Sequence, residues 1–397
     1  MRILFKGAAL YSSLAGFAGS VVVTPVQSAD IASASPPVSI KADNQHASQQ
    51  KLQIGDENSN LLFYGHINKG LLIYDDGLST LGYFPVDNDI SSTRFGLKLL
   101  HRSDGEWSMG ANAEAEWEPY STDYVNQLNR GKVDWDTLLL RHAEVYINAA
   151  SYGTLWLGQG RMASDTTAEV DLSGTSVIGR SSVAKPANTQ FYRFSDGTLS
   201  DVQIGSTFNN LDGLGRKLRV RFDSARVNGF ALSASVGKQV YPKPEGDITA
   251  DIALRFIKET TDYVVSAAAA YSWPGGDSQG LFSGSASVLN IPTGLSATIA
   301  GGYQRRSERE QSYGYGKLGY QVDYIDIGRT SFSVDAYIGN NINSAMTESL
   351  SIGFQAVQSV DAWQTEIYLG ARSYRYDDNS KQYQKGFAVL SGVRFKF

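Results

Sequence analysis

Four histidines are the first places to look for acid–base or nucleophilic chemistry: His46, His66, His101 and His142. A serine nucleophile would need one of them beside it, with an acid behind. No G-x-S-x-G turn accompanies them, and no H-E-x-x-H spacing offers a metal site. These residues predict no enzyme, no cofactor and no metal. What remains is charge. Asp165, Glu169 and Asp171 are the only carboxylates between Met162 and Gly174. Cations recur elsewhere at alternating positions: Arg94 and Lys98, Arg219 and Arg221, with Arg255 and Arg372 further on. Opposed charges across a narrow, water-filled gap break no bonds but create a field that orients dipolar solutes. As residue types alone, the three acids fit a solvated surface loop equally well.

The elements that carry these charges are strands. From Trp107 the chain alternates cleanly, with Trp107, Met109, Ala111, Ala113, Ala115 and Trp117 on one face. Ser108, Gly110, Asn112, Glu114, Glu116 and Glu118 take the other, because successive side chains of a strand point to opposite sides. Three glutamates on one side must meet water, while the uncharged side has a tryptophan at each end. That is the pattern of a strand crossing lipid between two aromatic girdles. The same grammar recurs in Phe95, Leu97 and Leu99 against Arg94 and Lys98. Leu218, Val220 and Phe222 likewise oppose Arg219 and Arg221. At the C-terminus Phe387, Val389, Val393, Phe395 and Phe397 share a face. An exposed aromatic edge of this kind invites aggregation in water, whereas a closed barrel pairs it with the first strand. In the first strand Lys69 interrupts the apolar face of Phe63, Ile67, Leu71 and Ile73. The run Ser266–Ala270 is too uniform to assign.

Connections alternate between short turns such as Val227-Asn228-Gly229 and longer polar stretches at 75–90, 119–136, 162–214, 239–248, 305–311 and 375–384. The expected fold is therefore all-β: a transmembrane antiparallel barrel of about 16 strands over residues 60–397. The count rises to 18 if Val202, Ile204 and Phe208 form a further hairpin. Arg2 and Lys6 ahead of an apolar run predict a signal peptide over 1–28, cut after Ser28, Ala29 or Ala34. Residues 29–59, rich in Ala, Ser, Gln and Asn, predict a flexible periplasmic leader. Only 19% of residues are charged, there are 22 tyrosines, and the net charge is −5. With no basic, aromatic-interleaved stretch, nucleic acid is excluded as a partner.

Ser92-Thr93-Arg94-Phe95-Gly96-Leu97 resembles the second strand of the Gram-negative outer-membrane porins. Arg141-His142-Ala143-Glu144-Val145-Tyr146-Ile147 and Tyr152-Gly153-Thr154-Leu155-Trp156-Leu157-Gly158-Gln159-Gly160-Arg161 are similar to the family's fourth and fifth strands. Val393-Arg394-Phe395-Lys396-Phe397 resembles its closing strand. The resemblance implies a homotrimer in the outer membrane, in contact with lipids and lipopolysaccharide, that passes small hydrophilic solutes by diffusion. It also implies that the third loop folds into the barrel, setting Asp165, Glu169 and Asp171 against the wall cations Arg94, Lys98, Arg141, Arg219 and Arg221. Arg141 conflicts with its own strand: if it faces inward, parity sends His142, Glu144 and Tyr146 outward. The stretch after Arg161 exceeds the family's usual third loop. That leaves two alternatives, a channel preferring carboxylates or other anions, and a plugged structural or adhesive barrel.

Overall fold

The computed structural model describes residues 52–397 apart from 57, 104 and 277, so the expected signal peptide and most of the leader lie outside the described residues. The first strands are β1 (Leu52–Gly55), β2 (Ser59–Asp75), β3 (Thr80–Asp87), β4 (Arg94–Arg102), β5 (Trp107–Trp117), β6 (Leu138–Ala149) and β7 (Gly153–Arg161). A short hairpin follows, β8 (Phe191–Arg193) and β9 (Leu199–Gln203). Next come β10 (Arg216–Ser224), β11 (Phe230–Gln239), β12 (Glu245–Glu259), β13 (Tyr263–Trp273), β14 (Ser278–Asn290) and β15 (Leu295–Arg306). The last are β16 (Glu310–Ile325), β17 (Gly328–Asn340), β18 (Thr347–Val360), β19 (Thr365–Asp378) and β20 (Gly386–Lys396).

Neighbours pair antiparallel, β7 passes directly to β10, and β20 returns to β2, closing a barrel of 16 strand positions. The hairpin β8–β9 forms a separate two-stranded sheet, so the residues that offered a seventeenth and eighteenth strand stand outside the wall. Two other features depart from expectation. Leu52–Gly55, placed by composition in the leader, pairs with Asn60–Phe63 of β2. The stretch 75–90, read as a long loop, is mostly β3, and β3 and β4 share one position. β4 pairs with the lower half of β2 and β3 with the upper half. Between them the chain leaves the wall, and the Asn88 side-chain amide donates to the Val177 carbonyl at 3.0 Å inside the barrel.

The burial pattern inverts that of a water-soluble protein. Leu218, Val220 and Phe222 of β10 remain 48%, 50% and 45% exposed, while Arg219 and Arg221 between them are 4% and 5% exposed. Backbone polarity explains why a barrel is the solution: in lipid every N–H and C=O must be satisfied within the protein, and closure leaves no edge. The faces read from sequence hold around the wall, and β13 is resolved, with Ser266, Ala268 and Ala270 buried toward the interior. At the Val227–Phe230 turn, Asn228 (φ 51°) and Gly229 (φ 89°) both take the left-handed region, as a two-residue hairpin of matching twist requires. On the outer face of β4 to β7, Ala111, Ala113 and Ala143 leave a groove of about 410 Å³ between Leu97, Leu99, Val145 and Leu157.

The seam between β2 and β20 ends at Phe397. Its N–H donates to the Gly65 carbonyl and Gly65 returns the bond, both at 3.0 Å. Its ring stacks on Phe63 at 5.4 Å. Deleting Phe397 removes the last rung of closure and should impair assembly. The expected result is a protease-sensitive species that does not shift on heating in a gel. Normal detergent-resistant oligomers from the deletion would contradict this role.

Candidate functional site

Residues 162–215 leave β7 and run along the inner wall before rejoining it at β10. The wall meets this segment with a track of short polar side chains. Ser235 accepts from the Ala163 N–H (2.9 Å), Ser285 from Val170 (2.9 Å) and Ser287 from Leu172 (3.0 Å). Further round, Thr175 meets Ser333 at 2.7 Å and the Tyr374 hydroxyl donates to the Val183 carbonyl at 2.9 Å. Backbone donors and acceptors of a loop removed from water must find partners, and these serines, threonines and tyrosines supply them. The segment's apolar side chains, among them Val177, Ile178, Val183 and Ile204, cluster with inward tyrosines such as Tyr74, Tyr337 and Tyr374. Higher up, the β8–β9 hairpin reaches the β19–β20 connection: Ser195 N–H donates to Gln382 and Gln384 N–H to Arg193.

The three acids of the segment are dispersed among different partners. Asp165 pairs with Arg161 at 2.9 Å. Burial pushes its carboxyl up, but Arg161, Arg216, Arg141 and Arg255 outweigh that and hold it below the usual range. Glu169 meets Arg180 of the same segment at 3.3 Å and Asn210 at 3.1 Å. Asp171 turns to the far wall, where it accepts from the Lys317 ammonium at 2.7 Å, and does not face the arginines. The expectation that all three oppose one basic wall is corrected for Asp171 and for Glu169, whose partners belong to its own segment. A loop lying flat on a wall has two sides, and Asp171 is on the wall side.

The wall cations divide in the same way. Arg219 binds Glu144 and donates to the Arg161 carbonyl at 2.9 Å. Arg221 donates to Asp223 (2.9 Å) and to the Met162 carbonyl (3.0 Å). Arg372 pairs with Asp335 at 2.6 Å. All three are nearly fully buried, so Arg219 and Arg221, expected as wall cations facing the loop acids, instead grip the root of the segment. Lys98 lies 4.4 Å over the Tyr64 ring, near the lower half of β2.

Arg94 and Arg141 do come together. Arg141 donates to Glu114 at 2.6 Å and pairs with Glu116, and Arg94 stands 3.9 Å from Glu114. The parity conflict at Arg141 is removed by a β-bulge. Glu114 opposes His142 and Ala115 opposes Leu140, which leaves Arg141 as the extra residue. One inserted residue lets Arg141 and Glu144 both face inward while Val145 and Ile147 stay outside.

Residues not singled out from sequence complete this region. Arg161 and Arg216 join the group electrostatically, beside Asp165 and Glu116. On the segment, Lys185 pairs with Asp89 from the β3–β4 break at 2.5 Å. Burial and the neighbouring Asp89 and Glu116 charges push Glu118 well up. The sequence did carry a sign of this, since Arg180 and Lys185 lie in the same segment as the acids and were available to neutralise them. Among the described residues no group of His, Cys, Asp or Glu is arranged to hold a metal.

No family model matches the sequence, and no curated protein matches it. Solved structures do. An anion-selective porin from Comamonas acidovorans is 13% identical, with 85% of this chain and 100% of that one covered at a TM-score of 0.55. OmpF of Salmonella typhi, in complex with daunomycin, is 11% identical over 87% of this chain and 100% of that one (TM-score 0.56). The trimer form of OmpT from Vibrio cholerae is 12% identical over 86% and 100% (TM-score 0.52). At such identities the likeness is one of architecture: this chain has the transmembrane β-barrel fold of the outer-membrane porins.

Proposed function

We propose that the protein is an outer-membrane diffusion channel for small hydrophilic solutes and ions, narrowed by segment 162–215 and assembled as a homotrimer. The observation that carries this reading is the seated segment. It is bonded to the inner wall along much of its course, while Arg180, Lys185 and Glu116 keep side-chain exposures of 29%, 38% and 18% inside the barrel. The outward apolar belt supports insertion in a membrane, and the trimeric relative in fold supports the oligomer. Asp165, Glu169, Arg94 and Arg141 are the residues assigned to the narrow region. Asp171, Arg219 and Arg221 serve its construction.

A second reading, a plugged barrel, is favoured by the aromatic packing of the segment and by its contact with the β19–β20 connection across the mouth. Conductance in a planar bilayer separates the two, because an open passage gives discrete current steps and a plug gives none. The same preparation tests the charge assignment. Unit charges ~4–8 Å apart at an effective dielectric near 20 interact by roughly 2–4 kcal/mol before screening. Asp165→Asn with Glu169→Gln leaves Arg161 and Arg180 without their carboxylates, so the reversal potential in a salt gradient should move toward anions. The shift should shrink at high ionic strength. An unchanged reversal potential at low salt, with normal steps, would place these acids outside the ion path.

A further inference from the structure

The turn that presents Asp165 and Glu169 is held at both of its polar poles by charged side chains from outside it. Asp212, on the returning arm of the segment, uses both carboxylate oxygens. It accepts from the Thr166 N–H and the Ala168 N–H, each at 2.8 Å. Arg255, on β12, takes the other pole, with one guanidinium nitrogen donating to the Ala163 carbonyl (2.9 Å) and the Asp165 carbonyl (2.8 Å). Between these grips Thr166 has φ 68°, a left-handed conformation that a β-branched residue keeps only when its surroundings impose it. The returning arm lies close because Gly213 (φ 51°) rests on Ser164, where any Cβ would stand 2.4 Å from the Ser164 carbonyl oxygen. Asp165 and Glu169 flank the residues that Asp212 holds, Thr166 and Ala168. Their own partners, Arg161 and Arg180, reach them through the carboxylates, and the Arg180 backbone bond goes to Ser176, outside the turn.

We propose that Asp212 and Arg255 are the positioning residues of the constriction, setting ion selectivity by fixing where Asp165 and Glu169 stand. This rests on the channel reading. Neither residue needs to touch a passing ion. Each removes one pole of the grip if altered, and losing a hydrogen bond to a charged group raises the population of the released turn by roughly tenfold or more.

The test uses the full-length protein in planar bilayers under a KCl gradient, with four variants: Asp212→Asn, Asp212→Glu, Arg255→Gln and Arg255→Lys. Positioning predicts that all four shift the reversal potential in one direction, toward anions, as Asp165 and Glu169 lose their fixed place. Open-channel current noise should rise with the shift. Direct action of the two charges predicts the opposite pattern. Asp212→Asn would then move toward anions, Arg255→Gln toward cations, and the charge-keeping Glu and Lys variants would match the parent. That pattern overturns the proposal, as does a parent-like potential in all four. The Glu and Lys variants, which change neither charge nor strand pairing, keep the test decisive if a neutral variant fails to assemble. Absence of current steps in the parent itself would remove the channel reading, and the proposal with it.

Discussion

Asp171→Asn is expected to destabilise the protein by about 3–5 kcal/mol, the cost of leaving a buried charge without its partner. Lys317 is 0% exposed at its side chain and Asp171 5%. Besides the carboxylate, the Gly179 carbonyl accepts from the ammonium at 2.9 Å. The pair ties the first part of the segment to β16, so its loss should free the chain around Arg180 and Lys185. Limited trypsin digestion of folded protein would then cut at those residues, and thermal unfolding would begin earlier. Adding Lys317→Met to Asp171→Asn should recover much of the loss, since it removes the buried ammonium that the single variant leaves unpaired. Parent-like unfolding of the single variant would show that the pair contributes little.

The second large effect is expected on the outer face. Ala113 is exposed at mid-strand, between Trp107 and Trp117, in the groove beside Leu97 and Val145. Placing arginine there against lipid should cost about 2–4 kcal/mol. One residue away, Asn112 faces inward and donates to Glu144 at 3.1 Å. Asn112→Arg should fold normally, because the interior already holds charge. Urea unfolding of both variants in detergent or lipid reads the difference directly. Equal tolerance would mean that the face around Ala113 is not bathed in lipid.

Strand faces were legible from sequence because a barrel wall enforces a period of two on every residue that meets lipid or the interior. Where that period breaks, the reading broke too. Arg141 was ambiguous because an inserted residue leaves no mark in composition. Residues 75–90 read as a loop because β3 carries Pro85, Asp87 and Gly82 among its few apolar residues, although its backbone still pairs with β2. The acids of 162–174 were visible in the sequence as the carboxylates of one long connection. Their partners were not. Whether a carboxylate meets Arg161, Arg180 or Lys317 depends on which side of an irregular segment faces the wall, and no periodicity encodes that. The inward serines were visible as polar alternation. Their use as a seat for the segment depends on contacts 72 to 158 residues apart, beyond any local pattern.

Those separations all run one way. Ser235, Ser285, Ser287, Lys317, Ser333 and Tyr374 come later in the chain than the segment they hold. The segment is made before its seat exists, and closing such long loops is entropically disfavoured until the intervening strands are ordered. During biogenesis the narrowing must therefore follow the wall. A barrel with β12 to β19 not yet in place keeps the segment's links to Asn88 and Asp89 but lacks its contacts with Ser285, Ser287, Lys317, Ser333 and Tyr374, so its final course is set only as the last strands arrive.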